Sequence, residues 1–254
     1  MVIPLKDDNP ARGTPILTLL IIAACVLVYF AVQPRTDAAE EQIFLFENAA
    51  VPCEVTEGQP LSNALSVRCD QGVFNPDTAP RQEYFPDKNV YLSLLSSMFL
   101  HGSILHLGGN MLFLWIFGNN MEDRFGKFGF VLLYLLTGVG ATLVHVFTQP
   151  DSTVPVIGAS GAIAGVMGAY LVYFPHARIL TVVPVLFLVL IRLPAFVVLL
   201  IWFGMQFLTN PNTGVAVAAH IGGFVLGALL AVVVKLLLHN DEPRRPDFGF
   251  DPHR

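Results

Sequence analysis

Residues 157–174 read Ile157-Gly158-Ala159-Ser160-Gly161-Ala162-Ile163-Ala164-Gly165-Val166-Met167-Gly168-Ala169-Tyr170-Leu171-Val172-Tyr173-Phe174. The stretch carries no charged side chain and approaches the roughly 20 apolar residues that take a helix across a bilayer. Gly161, Gly165 and Gly168 recur at three- and four-residue spacing, which places them along one helix face. Small residues so arranged let two helix backbones pack closely in lipid. The same stretch also brings a hydroxyl, Ser160, into surroundings where polar groups are costly and point to function.

Working outward, comparable apolar runs lie at 15–33, 103–119, 128–148, 194–209 and 216–238. The composition agrees: 54% of the residues are hydrophobic and 13% charged, against roughly 25% charged in a soluble domain. So little charge does not cover a water-facing surface. The expected fold class is therefore all-α, a polytopic membrane protein built as a six-transmembrane-helix bundle in contact with the lipid bilayer.

The basic residues orient it. With the N-terminus in the cytoplasm, the inner segments hold Lys6, Arg12, Arg124, Lys127, Arg178, Arg192, Lys235, Arg244, Arg245 and Arg254, and the outer ones only Arg35, Arg68, Arg81 and Lys88. The positive-inside bias then puts both termini in the cytoplasm. The chain divides into a cytoplasmic segment 1–14, a first helix 15–33, an extracytoplasmic acidic insert 34–89, a core 90–239 with the remaining five helices, and a Pro-rich, charged tail 240–254 expected to be disordered. The first apolar run exceeds a signal-peptide core of roughly 7–15 residues and no A-x-A site follows, so it is read as a retained helix. In the insert, Cys53 and Cys69 are a possible disulfide, and its prolines argue against long helices. Residues 90–100 read as an interfacial segment, and the apolar stretch 179–191 as part of an inner loop ending at Pro194.

Three polar clusters stand inside the spans. Span two and the residues leading into it hold His101, His106 and Asn110; span four opens on Gly158 and Ser160; span six opens on Ala219, His220 and Gly223. His106 and Asn110 are four apart and share a helix face. If span two begins near Gly102, these groups, Ser160 and His220 all lie at one depth, on the side away from the cytoplasm. Amide hydrolysis by serine requires a hydroxyl, a base and donors for the developing oxyanion. Ser160 and His220 supply the first two; Asn110, His106 and the Ser160 amide supply the third. No Asp or Glu occupies the outer half of a span, so the reading is a dyad. His101 and His145 are read as structural. Each residue alone has an ordinary packing role, but packing does not predict a common depth. The spacing of His101 and His106 is not that of H-E-x-x-H, and G-A-S-G-A is not the G-x-S-x-G elbow. No phosphate-cradling loop or ligand cluster is present, so no metal, cofactor or nucleic acid is expected.

These residues resemble the rhomboid family of intramembrane proteases. The family pattern H-x-x-x-x-H-x-x-x-N falls on His101, His106 and Asn110, G-x-S-G on Gly158, Ser160 and Gly161, and A-H-x-x-G on Ala219, His220 and Gly223. The stretch Gly118 to Gly126 resembles G-x-x-x-E-x-R-x-G, and there the resemblance implies a structural role for Glu122 and Arg124 on the cytoplasmic side. The resemblance also implies a six-helix rhomboid-like core, catalysis by Ser160 and His220, and oxyanion contacts from His106, Asn110 and the Ser160 amide, next to Gly158. Its substrates would be membrane proteins with locally unstable transmembrane helices. Some members place an aromatic four residues after the nucleophile. Here Ala164 stands there, so His220 has to be held in another way. The Trp-Arg pair that some members carry before span two is absent.

The expected function is thus a serine endopeptidase in a bacterial or archaeal plasma membrane, its site opening to the extracytoplasmic side. A catalytically silent rhomboid-like binder is the alternative, which loss of Ser160, His220 or Asn110 would have favoured. A transporter predicts polar groups spread through the membrane or paired halves, and neither is seen.

Overall fold

The computed structural model describes residues 3–9, 13–35, 37–71, 84–184, 188–209 and 215–237. The expected disordered tail and residues 72–83 of the insert lie outside the described residues. The chain is mostly helical. Helices Ile104–Thr148 and Val217–Leu237 are each long and apolar enough to cross a membrane, and Ile16–Val32, Ser160–Tyr173 and Ala195–Gln206 are shorter apolar helices.

Helix α1 (Ile16–Leu27) runs on as a π-helical stretch, Val28–Val32. Its N-cap is Pro15, which offers no side-chain cap, so the free amides of its first turn need another acceptor. Glu122 provides it. Its carboxyl accepts from the Leu17 amide (3.0 Å), the Thr18 amide (2.8 Å) and the Thr18 hydroxyl (2.9 Å). An acidic group also suits the positive end of the helix dipole. Glu122→Ala strands three donors at a buried site and is expected to cost about 2–5 kcal/mol. The thermal midpoint of the detergent-purified protein measures this, and an unchanged midpoint would remove Glu122 from the fold's supports.

Helix α6 (Ile104–Thr148) contains 45 residues but breaks at Gly126, whose φ of 68° and ψ of 170° are non-helical. Only glycine takes that φ without steric cost. Each arm, 104–125 and 127–148, has about 22 residues and spans roughly 33 Å. The sequence reading separated these arms by a longer connection, 120–127. The first arm instead continues to the break, carrying Glu122 and Arg124 in its last turns. Arg124 stacks over the Tyr173 ring at 4.6 Å.

Helix α7 (Ser160–Tyr173) is the centre of the molecule, with every residue from Gly161 to Tyr170 buried. Helix α8 (Ala195–Gln206) and helix α9 (Val217–Leu237) follow. Glycines set the α7–α9 distance. A Cβ on Gly227 would lie 1.9 Å from the Gly165 carbonyl oxygen, and one on Gly168 would lie 2.0 Å from that of Phe224. The two backbones touch directly.

One element departs from an all-α fold. Strands β1 (Ile3–Asp7), β2 (Arg178–Pro184) and β3 (Leu188–Pro194) form an antiparallel sheet in the order β1-β2-β3. The stretch read as loop is rich in β-branched residues, which favour strands, and Pro194 ends β3 where the loop was expected to end. The sheet is tied to the bundle through Asp7, whose carboxyl accepts from the Tyr170 hydroxyl (2.5 Å) and the Asn120 amide (2.7 Å). Burial holds the Asp7 carboxyl above its ordinary pKa.

Among its described residues the insert folds into three short helices, α2 (Ala38–Asn48), α3 (Pro52–Glu57) and α4 (Asn63–Gln71). Asp37 caps α2 by accepting from the Ala39 amide, Pro52 opens α3, and Gly58 at φ 70° closes it. Cys53 and Cys69 are joined as a disulfide with Cα atoms 6.3 Å apart. Together with Val51, Leu61, Leu65 and Phe46 they form a small second core. Glu54 pairs there with Lys88, both side chains almost fully buried, and burial lowers the Lys88 pKa. Segment 90–100 forms a short helix, α5 (Ser93–Ser96), and a 3-10 turn, Ser97–Phe99, before Ser103 caps α6.

Candidate active site

Ser160 is the first residue of α7, so its amide has no carbonyl one turn back to bond. It was expected about one turn inside its helix. The structure puts it at the very end, after an irregular 157–159 segment. His220 lies in the first turn of α9, and the glycine-mediated approach of the two helices brings the side chains together. The Ser160 hydroxyl and His220 Nε2 are 2.8 Å apart. Both residues are half-buried.

Asn110 is buried, and its amide nitrogen Nδ2 is a buried donor without a partner among the described residues. Such an orphan costs about 1–3 kcal/mol, and a reaction intermediate is one way to satisfy it. Gly158 explains where the donor points. This residue has φ 116°, and a Cβ there would meet His106 Cε1 and Nε2 at 2.8 Å and Asn110 Nδ2 at 3.5 Å. The backbone just before Ser160 therefore runs against both His106 and Asn110. Residues 106 and 110 thus lie against Gly158, two positions before Ser160.

His101 is fully buried and its ring faces that of His106 edge-on at 5.2 Å. The His101 backbone forms a reciprocal pair with Gln33: its amide donates to Gln33 Oε1 and its carbonyl accepts from Gln33 Nε2, each at 3.0 Å. The end of the first apolar helix is thus fastened to the start of α6. His145 is buried with Nδ1 unpartnered among the described residues. Gly223 sits against the Gly161 carbonyl, at the crossing of α7 and α9.

The insert reaches the same place. The Val156 amide donates to the Ala50 carbonyl (2.8 Å), and the Cys53 amide to that of Ser152 (3.0 Å). Ser97 joins both sides: its hydroxyl accepts from the Ala50 amide (2.7 Å) and its carbonyl from the Gly158 amide (2.9 Å). The insert is therefore bonded to the segment that leads into Ser160. Opening the Cys53–Cys69 link, which closes a separation of 16 residues, is expected to cost about 3 kcal/mol. Limited proteolysis with and without dithiothreitol reads this as faster cutting within 37–71. Equal rates would mean that the small core holds the insert alone.

Two residues at the site escaped the sequence reading, both from α8. Gln206 is buried, and its Oε1 lies 2.9 Å from His220 Nδ1. The Trp202 ring lies 5.8 Å from the His220 ring, tilted by 39°. These are the contacts that hold the imidazole where Ala164 offers no aromatic.

Comparison with known proteins shows the family. The family model for the Rhomboid domain matches residues 88–236, more than half of the chain. The chain belongs to the rhomboid family and is an integral membrane protein. It is 32% identical over 158 residues to Rhomboid protease AarA of Providencia stuartii, covering 56% of each chain. Against Rhomboid protein 1, mitochondrial, of Saccharomyces cerevisiae it is 31% identical over 165 residues, 61% of this chain and 45% of the relative. Against Rhomboid protease GluP of Bacillus subtilis it is 33% identical over 145 residues, 56% of this chain and 26% of the relative. The chain spans about half the length, or less, of these curated relatives.

Proposed function

We propose that this chain is an intramembrane serine endopeptidase acting through Ser160 and His220. The observation that carries the reading is the 2.8 Å contact between the hydroxyl and His220 Nε2, within hydrogen-bond reach for proton transfer. Ser160 Oγ attacks the scissile carbonyl carbon as Nε2 takes its proton. The carbonyl oxygen becomes an oxyanion, received by the Ser160 amide, Asn110 Nδ2 and His106. The imidazolium then returns the proton to the leaving amine, the C–N bond breaks, and an acyl-enzyme remains. Water enters by the same base-assisted route and releases the second product.

The bundle suits that chemistry. Six spans are proposed: α1 with its π-helical end, the two arms of α6, α7, α8 and α9, with both termini cytoplasmic. Helix α7 has 14 residues, about 21 Å against a hydrocarbon core of roughly 30 Å. Its shortfall lies at the Ser160 end, where the irregular 157–159 backbone is tolerated because protein surrounds it. The nucleophile then sits below the outer boundary yet within reach of water. A substrate helix must unwind there, because its amides are otherwise hydrogen-bonded and inaccessible. Membrane proteins whose helices are locally unstable are the proposed substrates.

The test pairs a fluorescent single-span substrate with a fluorophosphonate probe on detergent-purified protein. Wild type is expected to cleave and to be labelled at Ser160, and Ser160→Ala to do neither. Cleavage that persists in folded Ser160→Ala would refute the assignment. A wild type that neither cleaves a panel of substrates nor takes the probe would favour a rhomboid-like binder.

A further inference from the structure

The dyad has a third member that the family motifs do not contain. Gln206 Nε2 donates to the Trp202 carbonyl at 3.0 Å, one turn back on the same helix. That bond fixes which end of the amide faces away from the backbone, because a carbonyl accepts only from the nitrogen. The end left to meet His220 Nδ1, at 2.9 Å, is therefore the oxygen Oε1. An amide oxygen accepts and does not donate. His220 Nδ1 must then carry the ring proton, which leaves the lone pair on Nε2, facing the Ser160 hydroxyl at 2.8 Å.

From this chain of contacts we infer that Gln206 is a positioning residue that holds His220 in its reactive tautomer and orientation. The inference rests on the proposed peptidase reading. It does for the ring what a carboxylate does in a three-membered site: it fixes the proton on the far nitrogen and favours the imidazolium as it forms. An amide oxygen is neutral, so it orients without adding charge. Trp202 supports the same function, since its ring lies against His220 while its carbonyl anchors Gln206. A buried glutamine in an apolar helix is expensive unless both ends are bonded, and here both are.

The titratable surroundings of His220 matter for the test. Ser160 on α7 and Gln206 on α8 touch it, and on α6 the imidazoles of His106 and His145 lie within electrostatic reach. Neither of these changes in a Gln206 variant, so a shift in pH profile reports on position 206.

The experiment measures kcat, KM and the pH profile of substrate cleavage for the full chain and two variants. Gln206→Leu removes the acceptor at similar volume. It is expected to lower kcat about 10- to 100-fold, a fraction of the 10²–10⁴ that acid–base catalysis supplies, with KM within about twofold. Gln206→Glu keeps the acceptor and adds negative charge. It is expected to retain at least a tenth of wild-type kcat and to move the acid limb of the profile up by about one pH unit, because a carboxylate favours the imidazolium. Full activity in Gln206→Leu would overturn the inference. So would a Gln206→Glu profile with an unmoved acid limb, or one less active than Gln206→Leu. Should Gln206→Leu lose its fold, the Glu variant alone decides. Wild type with Ser160→Ala and His220→Ala reads the dyad separately: dead controls beside a fully active Gln206→Leu would leave the peptidase reading standing and remove only the role of Gln206.

Discussion

Ser160→Ala and His220→Ala are each expected to lower kcat/KM by about 10⁴–10⁶-fold, and the double variant to be no slower than either. The physical reason is that, on the proposed reading, the two groups form one device. A serine hydroxyl is a weak nucleophile until a base removes its proton in the transition state, and a base without the hydroxyl has nothing to activate. With Oγ and Nε2 at 2.8 Å, removing one member disables both, so losses do not multiply. What survives is the rate that oxyanion donors and substrate positioning give to water. Michaelis constants are expected to change little, since neither side chain buries much substrate surface. Losses that multiply in the double variant would mean that the residues act in separate steps, and would break the dyad apart.

The proposed dyad and oxyanion donors could be picked out because lipid filters the sequence. Few polar side chains are tolerated in a span, and those that remain can be compared for depth by counting residues from the helix ends. Ser160, His220 and Asn110 stood out in this way, and the glycines at 161, 165 and 168 marked a helix face suited to close packing. The third group was missed because the search at that depth was for a carboxylate. Gln206 lies three residues from the outer end of its expected span, 194–209, and that span runs outward. Extended to amides, the depth rule would have found it at the level of His220.

The sheet was illegible for a different reason. Short apolar runs do not separate strand from loop or helix by period alone, and the one punctuating residue within 179–191, Pro184, does not by itself mark a hairpin. The third strand comes from residues 3–7, some 170 positions away, and no local pattern announces such a partner. The hold of the insert on the segment before Ser160 is also long-range. It rests on backbone groups of Ala50, Ser152, Val156 and Gly158, which any residue type presents, so side-chain identity carries no trace of it. Composition told that the insert is acidic, and two cysteines hinted at a staple; neither told what the insert is fastened to.

Gly223→Ala, a change of one methyl group, is expected to cost at least about 100-fold in kcat and to lower the thermal midpoint. A Cβ at 223 would stand 2.1 Å from the Gly161 carbonyl oxygen and 3.1 Å from its carbon. The obstacle is backbone at the buried start of α7, where Gly161 is the second residue, so no side chain can turn aside. To restore ordinary contact, α9 must retreat from α7 by about 1 Å, at roughly 1–3 kcal/mol or more for overpacking. Gly223 follows His220 by three residues and shares its helix face, so the retreat draws the imidazole away from Ser160. A misplacement of about 1 Å in a reacting group costs on the order of 10²-fold. Gly204→Ala is the matched control, for a Cβ there meets nothing within 4 Å, and it is expected to leave rate and stability near wild type. If Gly223→Ala cleaves as fast as Gly204→Ala, the close α7–α9 crossing is not what sets the Ser160–His220 distance. If it is slow but keeps full stability, the crossing yields without strain, and the geometry of the dyad alone accounts for the loss.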